Sequence, residues 1–129
     1  RSDWSNVDNL LNKVEASLRD ELVGDGERVH VFTHLSHVYG EGSSIYTTYV
    51  FRPGTDYAEA MARWQRLKAA ASRTIAENRG TISHQHGVGR DHAPYLAAEK
   101  GELGMATLRS LATHFDPDQR LAPGVLLQD

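Results

Sequence analysis

The chain predicts an α+β fold, an antiparallel sheet with helices on one face, and three observations carry that expectation. Apolar residues recur at three- and four-residue steps in the first stretch, the middle and near the end, while the period drops to two in two adjoining runs between them. Glycine, proline and aspartate clusters fall where the period changes. The resulting order is α-β-β-α-β-α, with no internal repeat.

Val7, Leu10, Leu11, Val14, Leu18 and Leu22 lie on one stripe, so about Trp4 to Val23 reads as an amphipathic helix closed by Gly24-Asp25-Gly26. From Arg28, Val29, Val31, Thr33 and Leu35 alternate with His30, Phe32, His34 and Ser36, as on a half-buried strand. Tyr39 to Ser43 is the turn. Ser44 to Arg52 alternates again, with Ile45, Thr47, Tyr49 and Phe51 on one face and Ser44, Tyr46, Thr48 and Val50 on the other. The two runs make an antiparallel hairpin.

Pro53-Gly54 ends the hairpin, and Asp56 with Glu59 forms a capping box for a long helix through Ala60, Met61, Trp64, Leu67, Ala71 and Ile75, stopped at Gly80. The segment from Thr81 is expected to be a third strand and a loop, followed by a short helical piece near Tyr95 to Lys100. Leu108, Leu111, Ala112 and Phe115 define the last helix, which Asp116-Pro117 stops before a tail interrupted by Pro123-Gly124. The order is related to the ferredoxin-like plan. One sheet face is left uncovered, with His34, Tyr46 and His86 expected on it.

With 129 residues, 40% of them hydrophobic and 24% charged, the chain is sized for one ordinary domain, residues 1–129. Cysteine is absent, which excludes disulfides, thiolate catalysis and cysteine-bound zinc or iron–sulfur centres. A net charge of -3 offers no footprint for nucleic acid or an anionic membrane surface. No run reaches the ~18 apolar residues of a membrane-spanning helix, and no signal-peptide core is seen, so a cytoplasmic protein is expected. The start at Arg1 rather than methionine points to a piece of something longer.

The segment Thr81-Ile82-Ser83-His84-Gln85-His86-Gly87-Val88-Gly89-Arg90 has the composition of a site. Histidines at alternate strand positions share one face, Gly87 and Gly89 let the backbone turn its N–H groups toward an anion, and Arg90 adds a fixed cation. A plainer reading, a glycine turn flanked by surface histidines, fits the same residues. His34 and His37 form a His-x-x-His pair that with His84 and His86 would make a four-imidazole metal site, but no acidic ligand accompanies them and no metal is expected. His30, His92 and His114 read as surface histidines.

Taken together, Asp3-Trp4, Gly42-Ser43-Ser44-Ile45-Tyr46, the Gly80 to Arg90 segment, Phe115-Asp116-Pro117 and Pro123-Gly124 resemble the C-terminal portion of FAD-linked oxidases of the vanillyl-alcohol oxidase type. Within that group the alkylglycerone-phosphate synthases are the most similar. The resemblance implies a cap domain working with FAD held by a separate N-terminal domain, with substrate between cap and isoalloxazine ring. The present sequence would then be a substrate-side fragment lacking that domain, inactive alone and prone to self-association as a homodimer through its uncovered face.

The resemblance further implies ether-lipid precursor synthesis through an adduct at flavin N5, with acyl-glycerone phosphate and a long-chain alcohol as substrates. The proton-transfer tyrosine falls on Tyr46, and the outer two of three consecutive histidines on His84 and His86, all expected to be catalytic. His84, Gln85, His86, Gly87 and Arg90 are the expected FAD-binding residues. Gln85 stands where the synthases have the middle histidine, and an amide can hydrogen-bond but not exchange a proton near neutral pH. Two alternatives stay open: the cap of an FAD-dependent D-2-hydroxy-acid dehydrogenase or oxidase, and a non-catalytic ligand- or metal-binding module.

Overall fold

A computed structural model describes residues 1–82 and 86–127, which fall into two units, Arg1–Gly80 and Thr81–Asp129. The first unit is built on a three-stranded antiparallel sheet of order β1-β3-β2, with β1 at Ser2–Asp3, β2 at His30–Val38 and β3 at Gly42–Val50. Helices α1 (Val7–Glu21) and α2 (Tyr57–Glu77) accompany it.

The stripe read from the sequence is the one buried. Leu10, Val14, Leu18 and Leu22 meet Val29 and Val31 of the β2 side and Leu67 of α2, with Ile45, Tyr49, Phe51, Ala71 and Ile75 packed around them. Leu18, Leu22 and Leu67 are completely enclosed, each worth about 2 kcal/mol of apolar transfer. In the hairpin, Val31 faces Tyr49, Thr33 faces Thr47 and Leu35 faces Ile45, so the inward residues of both strands pair with each other. The α+β class and the uncovered hairpin face follow from this pairing.

Side-chain capping defines the start of α2. Asp56 accepts the Glu59 N–H at 2.8 Å, as a capping box requires, while the Glu59 carboxylate reaches back to the Thr55 N–H at 2.7 Å and the Thr55 hydroxyl at 3.0 Å. The start of α1 is tied instead to the end of α2, because buried Asn6 donates to the Asn78 carbonyl at 2.8 Å and to Ser2 Oγ at 3.0 Å. Buried Arg63 of α2 donates to the Arg52 carbonyl at 2.8 Å and pairs with Glu59 at 2.7 Å, joining the hairpin exit to the helix.

One expectation is corrected here. The third strand is β1, which pairs Ser2 with Ser43 and Asp3 with Gly42; Thr81, Ile82 and His86 to Val88 are not in a strand, and Ser83 to Gln85 lie outside the described residues. α2 ends before Gly80, as expected, and the residue at positive φ there is Arg79 (φ 58°), so backbone conformation does not call for glycine at position 80. Gly80 is required for a different reason, since a Cβ there would sit 2.8 Å from both Ile75 Cγ2 and Leu10 Cδ2.

The second unit contains α3 (Gly89–His92), a 3-10 turn at Ala93–Tyr95 and α4 (Leu96–Phe115). Gly101, at φ 66° and ψ 177°, breaks α4, so the short piece and the last helix expected from the sequence are its two halves. Asp116 ends it by accepting the Arg120 and Leu121 N–H groups at 2.8 Å each. The residues that define the last helix in the sequence lie in α4, where Leu111 is 51% and Phe115 74% exposed and the buried residues are Leu96 and Met105.

Candidate functional site

Period-two alternation sends His30, Phe32 and His34 of β2 and Tyr46, Thr48 and Val50 of β3 to the outward face of the hairpin, paired as His30 with Val50, Phe32 with Thr48 and His34 with Tyr46. Tyr46 is 48% exposed there, as the sequence predicts for it. Its ring stacks on His34, with centroids 5.1 Å apart and 25° between planes. Sequence reasoning placed both residues on this face but did not pair them.

The pairing depends on a register shift between Leu35 and His37. On the turn side Val38 faces Ser43 and His37 faces Ser44, and without the shift that ladder would run on to set Leu35 opposite Tyr46. The extra residue moves the ladder by one, so His34 meets Tyr46 while Leu35 stays on the core side. Because Ser44 and Tyr46 alternate to the same face, His37 joins the outward row as well.

The hairpin tip is braced by Asp3-Trp4. Trp4 Nε1 donates to the Tyr39 carbonyl at 3.0 Å, the Trp4 N–H reaches the Glu41 carbonyl at 3.2 Å, and Asp3 pairs with Gly42 in the sheet. The Arg1 guanidinium lies 4.9 Å from the Tyr39 ring centre, and the His37 ring stacks with Tyr39 at 6.4 Å. The role of Trp4 was missed in the sequence, where a tryptophan before a helix signals only apolar area.

In the second unit His86 is exposed in a bend, Gly87 (φ 74°) and Gly89 (φ 62°) are left-handed, and α3 starts at Gly89. A Cβ built on either glycine meets no atom within 4 Å, so backbone conformation and not close packing calls for glycine at both positions. Arg90 donates to the Pro123 carbonyl at 3.3 Å, a tie between this turn and the tail. His92 Nδ1 donates to the Val88 carbonyl at 2.8 Å, which sets its tautomer. His84 and Gln85 lie outside the described residues.

The carboxyl groups moved from their ordinary range serve the fold. Thr55 holds Glu59 low through its N–H and hydroxyl, and the Thr33 hydroxyl with Arg19 holds Glu15 low. Among the described residues no three histidine, aspartate or glutamate side chains are grouped to share a metal ion, and no helix is long and apolar enough to cross a membrane. A cavity of about 300 Å³ between the end of α4 and the tail, bordered by Arg109, Leu121 and Leu126, had no signal in the sequence.

The α+β architecture of the first unit agrees with the family to which the sequence comparison assigns the chain. The profile of the family described as "FAD linked oxidases, C-terminal domain" matches residues 2–126, and the chain belongs to that family. It is 25% identical over 114 residues to an alkyldihydroxyacetonephosphate synthase of Trypanosoma brucei brucei, covering 88% of this chain and 18% of that protein. To the enzymes of the same name from Caenorhabditis elegans and Dictyostelium discoideum it is 25% and 24% identical, covering 96% of this chain in both cases and 21% and 20% of theirs. The chain thus spans about a fifth of the length of these relatives.

The family implies FAD, and the residues present suit one side of a flavin site. The outward hairpin face offers ring surface from Phe32 and Tyr46 and imidazole donors and acceptors from His30, His34 and His37. These groups can contact a planar ring and its polar edge.

Proposed function

We propose that residues 1–129 are the substrate-side domain of an FAD-dependent enzyme that exchanges the acyl group of an acyl-glycerone phosphate for a long-chain alcohol, a transferase step toward ether lipids. The observation that carries this reading is the phenol of Tyr46, half-exposed on the sheet face turned away from the core. The family supports FAD, and the names of the relatives support the reaction class. An N-terminal FAD-binding domain of the same protein is the expected partner.

Bound FAD would supply an electrophilic ring system that activates the substrate carbon. Tyr46 takes a proton from the carbon bearing the acyl ester, and the electron pair left there would be taken up by the bound flavin and given back when the proton returns. The C–O bond to the acyl group then breaks with its electron pair on the departing carboxylate. The alcohol oxygen forms the new C–O bond, the alcohol proton leaves with the fatty acid, and Tyr46 returns its proton to the carbon, so no electrons are lost or gained overall. His84 and His86 orient the substrate oxygens, Gln85 donates through its amide, and Gly87 and Arg90 hold the anionic phosphate or the polar edge of the cofactor.

Replacing Tyr46 with Phe in the FAD-loaded protein tests the reading. The rate of fatty-acid release from acyl-glycerone phosphate should fall on the order of a hundred- to ten-thousand-fold with FAD still bound. A variant turning over within about threefold of its parent removes Tyr46 from the chemistry. Turnover of a D-2-hydroxy acid in place of acyl-glycerone phosphate would replace the substrate class.

A further inference from the structure

Tyr46 sits on an open strand face where an exposed tyrosine ordinarily samples several rotamers. A group that transfers a proton must instead hold its oxygen in one place through the reaction. The hairpin provides that restraint across the ladder. His34 is directly opposite Tyr46, and the two rings lie nearly parallel at 5.1 Å. Directly paired aromatic side chains on neighbouring strands restrict one another.

We infer that His34 is a positioning residue for Tyr46, holding the phenol ring in a single rotamer through the cross-strand stack, an assignment that rests on the reading of Tyr46 as the proton carrier. The register shift between Leu35 and His37 gives the inference its second support. The chain departs from a regular ladder next to this pair, and the departure sets an aromatic ring rather than the aliphatic Leu35 against Tyr46. Bulges of this kind commonly re-aim side chains beside sites. Tyr46 remains 48% exposed beside the stack.

The role belongs to the ring and not to the ability of imidazole to carry a proton, which makes His34→Phe the conservative variant and His34→Ala the disruptive one. In the 129-residue chain, side-chain couplings and ring-current shifts of Tyr46 measured by NMR should show one rotamer in the parent and in His34→Phe, and averaging in His34→Ala. In the FAD-loaded protein, kcat should fall about tenfold in His34→Ala with KM for acyl-glycerone phosphate unchanged, and His34→Phe should recover to within about twofold. Thermal melts that match across the variants exclude loss of folding, and His34→Phe keeps the test open if His34→Ala melts early.

A Tyr46 ring equally ordered in His34→Ala overturns the assignment, because other neighbours then hold it. Averaging of the ring with no change in kcat also overturns it, provided Tyr46→Phe still abolishes turnover. A Tyr46→Phe enzyme of undiminished rate overturns the reading of Tyr46 itself and the catalytic half of this assignment. The NMR contrast between the two His34 variants tells that failure apart from a failure of the stack.

Discussion

The two units spend their apolar residues differently. In Arg1–Gly80 the helical stripe of α1, the inward face of the hairpin and Leu67 of α2 enclose one another, leaving Leu18, Leu22 and Leu67 without solvent contact. In Thr81–Asp129 a smaller set, Ile82, Ala93, Leu96 and Met105, is buried while the last helix leaves Leu103 81%, Leu111 51% and Phe115 74% exposed, and polar ties add to the order: Glu99 to the Ile82 N–H, Asp116 to two amides, Arg90 to Pro123. The difference teaches that amphipathic spacing announces a helix in both units but a core only where a second apolar layer meets it.

The largest effect expected from this contrast is in the first core. Leu18→Ala should cost about 3–5 kcal/mol, because a fully buried leucine between α1, sheet and α2 leaves a cavity that its neighbours fill only in part. Both tryptophans, Trp4 and Trp64, belong to the first unit, so urea unfolding followed by tryptophan fluorescence reads that unit alone. An unchanged midpoint would break the claim that this core carries the first unit.

Next is Gly80→Ala, for which a loss of about 1–3 kcal/mol is expected, since the new methyl presses on Leu10 and Ile75 within the same core. The same fluorescence measurement checks it. Had Gly80 been present only to end the helix, the substitution would be nearly silent, because its neighbour Arg79 is the residue at positive φ.

In the second unit, Asp116→Ala should cost about 1 kcal/mol locally through loss of the two backbone bonds it accepts. Amide exchange at Arg120 and Leu121 should accelerate while the fluorescence midpoint stays put. Leu111→Ala, removing an exposed side chain, should shift stability by no more than about 0.5 kcal/mol. A penalty of several kcal/mol would show that this face is buried in solution.

The smallest effect is a pH dependence at α2. Glu59 is held below the ordinary carboxylate range, chiefly by the Thr55 N–H and then by its hydroxyl. A depressed folded pKa stabilises the fold above the unfolded value and loses that contribution as pH falls through the folded one. Glu59→Gln should therefore lower the melting temperature slightly at pH 7 and converge with the parent in acid below the carboxylate range. Parallel curves at all pH values would remove Glu59 from the acid response.

The sequence by itself determined the helical segments and the two strands of the hairpin, which face of that hairpin turns inward, and that Asp56 with Glu59 opens α2. All of these depend on spacing within one segment, where a period of 3.6 or 2 leaves a direct trace. The outward placement of Tyr46 was legible for that reason. The tertiary structure decided which segments meet: that Ser2–Asp3 supplies the third strand, that Arg79 takes the left-handed turn, and that Leu111 and Phe115 face outward. It also decided that His34 is the partner of Tyr46, through a shift of one residue that no local pattern records. Register is a sum over contacts between segments far apart in the chain, and sliding a strand by a single position changes every partner at once.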